Sequence, residues 1–218
     1  MGFKKENMIF NKAQEAFEYY YELLSNKGEE FNNTKSLFNI GFKINNPLDN
    51  KIKTSWRKWN HDYAEYEWQW YLSGDKSAKS IAKRAKIWYN CMDIYGNVNS
   101  NYGYQWNRGN QLEYVINELK HNTTSRRASI SIYDAKDRYN FENDTPCTYA
   151  INFTILNNKL CMSVMMRSND LWFGFCNDQY CFSKLQEMIS NKLSIKTGWY
   201  YHFVNNVHLY KNFLNKKT

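Results

Sequence analysis

Apolar side chains recur every three or four residues at Phe10, Ala13, Phe17, Tyr20 and Leu24, a spacing that predicts an amphipathic helix ending near Gly28. Residues 29–50 are rich in Asn and Lys, with Leu37, Phe38 and Ile40 predicting a short strand and Pro47 closing the segment. From Trp59 to Leu72 the aromatic density rises, and the pattern fits a second helix stopped by Ser73-Gly74-Asp75. Ser77 to Tyr89 reads as a third helix with a basic face. Asn97 to Gly109 reads as a polar loop holding Tyr102 and Trp106, and Leu112 to Leu119 as a fourth helix. After Ser125-Arg126-Arg127 the period changes to two. Strands are predicted from Ala128 to Tyr133, Thr148 to Ile155 and Leu160 to Met166, with Asn157-Asn158 turning between the last two. A helix over Phe182 to Leu193, a strand over Trp199 to Val204 and a helix over His208 to Leu214 complete the chain. Helices first, then sheet mixed with helix, predict a single α+β domain over residues 1–218.

Composition narrows the class. The 218 residues are 43% hydrophobic, with eight Trp, eighteen Tyr and thirteen Phe, enough to bury a sizeable core. No apolar run approaches the ~18 residues of a membrane span. The N-terminal residues lack a hydrophobic signal core, and Glu6 and Asn7 stand where myristoylation needs Ser or Thr. A cytoplasmic protein is expected. A net charge of +8 points to an anionic partner such as a nucleotide, a nucleic acid or a polyanionic cofactor, or to a lysine-coated surface.

Five cysteines form no Cys-x-x-Cys pair, and with four scattered histidines no metal-ligand spacing arises. Cys147 departs from an ordinary buried thiol through its neighbours. It follows Pro146 at the mouth of a strand, and Arg167, Ser168 and carboxylates come on the next strand and the loop after it. A guanidinium near a thiol favours the ionised sulfur, the form that attacks carbon. Cys147 is therefore the expected nucleophile, with Arg167 holding an anionic substrate against it.

The order of motifs carries a further likeness. Glu67-Trp68-Gln69-Trp70-Tyr71-Leu72-Ser73-Gly74-Asp75, Ile87-Trp88, Asn101-Tyr102-Gly103-Tyr104-Gln105-Trp106, Ser125-Arg126-Arg127, Pro146-Cys147, Arg167-Ser168-Asn169-Asp170, Gly174 and His208-Leu209-Tyr210 resemble the thymidylate synthase superfamily, from about residue 60 to 212. Asn99 to Gly103, Met166 to Asp170, Phe173 to Phe175 and Asn177-Asp178 look most like its phage-type deoxycytidylate hydroxymethylases. The resemblance implies a mixed sheet packed by helices, with one sheet face forming a homodimer interface. The substrates it implies are dCMP and the co-substrate 5,10-methylenetetrahydrofolate.

By the same resemblance Cys147 adds to carbon 6 of the base, Glu67 is the general acid/base, and Tyr102 lies near the nucleophile. Arg167 and Ser168 hold the phosphate, joined by Arg126 and Arg127 from the neighbouring subunit, with Lys35 or Lys43 as a further contact. His208 and Tyr210 hold the sugar hydroxyl. Trp88, Asp170 and Gly174 belong to the folate side. Synthases carry Asn where this chain has Asp178. An amide suits uracil, whereas a carboxylate accepts from the cytosine amino group, and a buried acceptor facing a carbonyl costs about 1–3 kcal/mol. Asp178 therefore implies dCMP over dUMP.

Two departures stand out. Thr148 follows the nucleophile where synthases usually have His, and the chain ends soon after Tyr210 without the long C-terminal segment that closes over folate in synthases. Weaker closure agrees with addition of water rather than hydride. A thymidylate synthase or a dCMP methylase would use the same covalent intermediate. A basic protein stacking nucleic-acid bases is the rival from another class, but the conspicuous arginines fall at the family's phosphate positions.

Overall fold

Two long strands, β6 (Lys159–Asp170) and β7 (Lys196–Tyr210), run side by side in parallel and carry Arg167, Ser168, Asp170, His208 and Tyr210. The structure is a computed structural model that describes residues 8–137, 140–141 and 143–217, so the expectations about the first seven residues lie outside it. Among the described residues one seven-stranded mixed sheet forms. The remaining strands are β1 (Met8–Phe10), β2 (Glu29–Phe31), β3 (Thr34–Ile44), β4 (Ser129–Ser131) and β5 (Thr148–Leu156). Their order is β1-β3-β7-β6-β5-β4, with β2 hairpinned onto β3. The sheet is α+β in class, packed by α1 (Ala13–Lys27), α2 (His61–Ser73), α4 (Tyr102–Asn107), α5 (Gln111–His121) and α6 (Cys176–Lys192).

Alternation decides the faces. Ile151, Phe153, Val164, Met166, Tyr200 and Val204 point inward and are buried against helices. α1 buries Ala13, Ala16, Phe17, Tyr20, Tyr21 and Leu24, the stripe that its spacing predicts. Asn157 and Asn158 both take positive φ (49° and 56°), as a two-residue turn joining β5 to β6 requires. On the outer face Trp199, Tyr201 and Phe203 are half-buried and Met165 is exposed. Aromatic side chains there give the sheet an apolar outer surface.

Five expected elements differ from those observed. The strand near Leu37 is eleven residues long, because β7 supplies a partner along its whole length. Ser77 to Tyr89 is not one helix. It breaks into a 3-10 turn at Ile81–Lys83 and the short α3 (Trp88–Cys91). Lys79 and Lys83 would stand one turn apart in a continuous helix, and backbone bonds from Ala78 N to Gly96 O and from Val98 N to Lys76 O hold the segment to a neighbouring turn instead. The expected loop at 97–109 contains α4, capped by the Asn101 side chain accepting from Tyr104 N at 2.8 Å. The expected last helix is a strand: His208 pairs with Ser36 on one side and Asp170 on the other, and only Lys211–Phe213 turns helically. α6 begins at Cys176, six residues before Phe182, so its first turn carries Asp178.

α4 sits so close to α2 that a Cβ at Gly103 would collide with the Tyr71 carbonyl. Gly103→Ala is therefore expected to destabilise the protein by about 2–3 kcal/mol through overpacking. Urea denaturation measures this, and a loss within ±0.5 kcal/mol of zero would contradict the packing.

Candidate active site

The loop before β5 is pinned from two sides. Asp144 accepts from Asn99 N (2.7 Å), Ser100 N (2.6 Å) and Ser100 Oγ (2.6 Å), so a carboxylate anchors the loop to the segment leading into α4. From β6, Arg167 Nε donates to Pro146 O at 3.1 Å and Nη2 donates to Thr145 O at 2.7 Å. Nη2 also lies 3.7 Å from Cys147 Sγ. The backbone N–H of Arg167 donates to Cys147 O at 2.8 Å. Arg167 thus fixes the backbone around the sulfur as well as facing it.

The expectation of an ionised resting thiol is corrected here. Burial pushes the Cys147 thiol up to about 11, with Arg167 pulling the other way and Asp178 and Asp144 adding to the rise. One guanidinium already engaged by two carbonyls does not offset the lost hydration. The resting group is a thiol rather than a thiolate.

Two buried carboxylates, Glu67 and Asp178, lie beyond it. Glu67, 5% exposed on α2, accepts from Tyr63 Oη at 3.1 Å, and Tyr63 in turn accepts from Trp88 Nε1 at 2.9 Å. Burial and the nearby Asp178 push Glu67 up to about 8. Asp178 accepts from Asn169 Nδ2 at 2.7 Å, and burial, with Asp170 adding to it, pushes it up to about 7. Asp178 does not cap α6, for it lies inside the first turn and turns back to β6. Gly174 is what lets the two side chains meet: a Cβ there would stand 2.9 Å from Asn169 Nδ2 and 3.3 Å from Asp178 Oδ2.

The other expected residues fall in three places. Tyr102, buried on α4, faces both Cys147 and Asp178, and Thr148 is fully buried beside it. Asp170 ends β6, accepts from Trp172 N at 2.8 Å and lies opposite His208. Burial pushes Asp170 up and His208 down. Trp88 is buried with its nitrogen on Tyr63, so it joins the Glu67 chain of hydrogen bonds. Ser168 is half-buried on β6. Arg126 and Arg127 are exposed on the turn before β4, and neither makes an ion pair among the described residues. Lys35 pairs with Glu30 at 2.8 Å, and Lys43 lies on the outer side of β3 between buried Phe42 and Ile44.

Beside the carboxylates opens a cavity of about 1060 Å³ walled by Trp59, Tyr63, Ile87, Tyr89, Phe173 and Tyr210, with Asp170, Arg57 and Arg84 among its polar groups. Aromatic walls with cations among the lining suit a flat heterocycle bearing an anionic tail. Arg57 donates to Trp172 O through Nη2 (2.6 Å) and Nε (3.1 Å) and stacks on the Trp172 ring at 4.7 Å. Sequence reasoning assigned no role to Arg57, Tyr63, Asn169 or His202. Tyr63 stands four residues before Glu67 on one helix face, a spacing that could have flagged it; the others carry no such signal.

A family model described as thymidylate synthase matches residues 25–218, well upstream of residue 60. The thymidylate synthase of Wigglesworthia glossinidia brevipalpis is 28% identical over 193 residues, 84% of this chain and 73% of that protein. The deoxycytidylate 5-hydroxymethyltransferase of Enterobacteria phage T4 is 36% identical over 143 residues, 61% of this chain and 57% of that protein. These findings define an enzyme class that transfers one-carbon units from a folate to a nucleotide. The chain belongs to the thymidylate synthase family.

Glu67 and Asp178, raised to about 8 and about 7, keep protons in the folded chain that an unfolded chain has already released. Stability from this pair is present below the ordinary carboxylate range and is lost as pH rises through about 8. Glu67→Gln does not titrate, so its stability should fall less between about pH 5 and 8 and exceed the parent's by about 1–3 kcal/mol at the upper end. Urea denaturation at each pH reads this. Identical pH slopes in the two proteins would contradict it.

Proposed function

We propose that this protein is a dCMP hydroxymethylase: it transfers the one-carbon unit of methylenetetrahydrofolate to carbon 5 of dCMP and adds water, giving 5-hydroxymethyl-dCMP and tetrahydrofolate. The observation that carries the reading is Asp178, a buried carboxylate with one oxygen held by Asn169 at 2.7 Å and a pKa raised to about 7. Such a group accepts from a cytosine amino group and, when protonated, also donates to the adjacent ring nitrogen. It has no match for a uracil carbonyl beside an N–H unless it takes up a proton for one partner and an acceptor role for the other in reversed order. The 36% identity to the phage deoxycytidylate hydroxymethyltransferase supports the same choice.

In this reading Cys147 loses its proton and its sulfur bonds to carbon 6, which leaves electron density on carbon 5. Methylenetetrahydrofolate, seated between the aromatic walls of the large cavity, supplies the carbon that carbon 5 takes up. The carbon 5 proton departs to a base while the bond from the transferred carbon to the folate nitrogen breaks and tetrahydrofolate leaves, and water adds to the resulting exocyclic methylene as the sulfur is expelled. Glu67, protonated near neutrality, is suited to pass protons in these steps and to order the water. Arg167 and Ser168 serve the phosphate, with Arg126 and Arg127 reaching it from a second copy across the apolar sheet face. His208 and Tyr210 serve the sugar. Asp170 and Trp88 support the folate side, Trp88 through Tyr63, whereas Gly174, which the resemblance puts with the folate, leaves room for the Asn169–Asp178 bond on the base side.

A thymidylate synthase is the second reading, favoured by the longer match, which covers 84% of the chain. Product mass separates the two. With methylenetetrahydrofolate, dCMP should gain a hydroxymethyl group and release tetrahydrofolate; methylation of dUMP with dihydrofolate formation would contradict the proposal. Cys147→Ala should abolish turnover. Asp178→Asn should shift the preference towards dUMP by about tenfold or more, and a dCMP preference that survives the swap would overturn this account of base choice.

A further inference from the structure

Behind Asp178 a line of buried polar side chains runs into the sheet. Asn169 Nδ2 donates to Asp178 Oδ2 at 2.7 Å, Asn169 Oδ1 lies 3.2 Å from His202 Nε2, and His202 Nδ1 lies 2.6 Å from Tyr200 Oη. Asn169, His202 and Tyr200 are 2%, 1% and 0% exposed, so no bulk water can replace a lost partner. The His202 ring lies between Phe42 and Phe175, with centroids at 5.2 and 5.3 Å, and this apolar wrapping holds the ring neutral.

The chemistry of the partners gives the line one direction. A carboxylate oxygen accepts, so Asn169 must present its amide nitrogen to Asp178. Its oxygen then faces His202, whose Nε2 must carry the proton. A neutral ring leaves Nδ1 bare, and Nδ1 accepts from the Tyr200 hydroxyl. Every donor and acceptor is matched in this sense. In the reverse sense Asn169 would turn its oxygen on Asp178 and set two acceptors against each other unless the carboxyl proton were moved to Oδ2, away from the base.

We infer that Tyr200, His202 and Asn169 are positioning residues for base choice: their one-way hydrogen-bond chain holds Asp178 Oδ2 as an acceptor and leaves Oδ1 as the atom presented to the nucleotide base. This deepens the proposed function and rests on its assignment of a cytosine edge to Asp178. Gly174 is part of the device, since any side chain there would press on the Asn169–Asp178 bond. Without the Tyr200 hydroxyl, His202 is free to move its proton to Nδ1. Asn169 would then flip, and Oδ2 would need a proton of its own. Oδ1 would then face the base as a bare acceptor, able to take the N–H of uracil but no longer able to donate to the cytosine ring nitrogen.

Tyr200→Phe removes only the hydroxyl and keeps the packed ring. The expected result is that the ratio of kcat/KM for dCMP over dUMP falls about tenfold, the worth of one buried hydrogen bond. His202→Leu should do the same, while His202→Gln, which can donate on one side and accept on the other, should retain most of the ratio. Nitrogen-15 shifts of the His202 ring in the free wild-type protein should report the Nε2–H tautomer. A line of purely structural polar groups would lower both substrates in proportion, and that result, an unchanged ratio, or an Nδ1–H tautomer would each overturn the inference. A wild-type preference for dUMP would sink the cytosine assignment instead. The tautomer and the change of ratio in Tyr200→Phe would still decide the chain on their own terms.

Discussion

Two carboxylates held out of water in one pocket, Glu67 and Asp178, set the character of this site. Burying an ionised carboxylate is costly unless a cation pairs with it. Here Glu67 is given a tyrosine hydroxyl and Asp178 an amide, both neutral. Neutral partners offset only part of the lost hydration, so both acids hold protons into the range where most carboxylates have released them. The nearby guanidinium is directed elsewhere, to the carbonyls of Thr145 and Pro146 and to the flank of the Cys147 sulfur. A thiol raised to about 11 beside acids raised to about 7 and 8 makes a pocket whose proton inventory is set by what enters it.

The fold brings these groups together through one strand and the turn that follows it. β6 supplies Arg167 towards the loop that carries Cys147, Asn169 towards α6 and Asp170 towards the large cavity. The π-helical turn Leu171–Phe175 then leads into α6, whose first turn returns Asp178 to within 2.7 Å of Asn169. Parallel pairing with β7 sets His202 beside Val164 and His208 beside Asp170, so one register places His202 within reach of Asn169 and His208 at the cavity end. α2 and α4 close the pocket from the other side with Glu67 and Tyr102, and their tight approach depends on Gly103.

What could be read from the chain follows from what local pattern encodes. α1, α2, α5 and the β5–β6 hairpin have strong periodicity and clear stops, and they form where that pattern places them. The length of β3 and β7 was hidden because their outward positions are polar or aromatic and their continuity depends on long-range partners. α4 was hidden for the opposite reason, since a glycine-bearing polar segment becomes helical only through Asn101 capping it and reaching Trp70 O and Asp75 O. At the site, Cys147, Glu67, Arg167 and Asp178 were visible through motif order. The state of the thiol was not, because desolvation depends on the whole pocket. Nor was the Asn169–His202–Tyr200 line, because it joins residues up to 33 positions apart that share no motif.

The most direct measurement is the mass of the protein after incubation with methylenetetrahydrofolate and 5-fluoro-dCMP or 5-fluoro-dUMP. Fluorine at carbon 5 cannot leave as a proton does, so a covalent route stalls with the sulfur still bonded to carbon 6. The account predicts a stable adduct on the peptide containing Cys147, formed faster with the cytosine analogue. No adduct, attachment at Cys91, Cys161, Cys176 or Cys181, or faster trapping by the uracil analogue would contradict it.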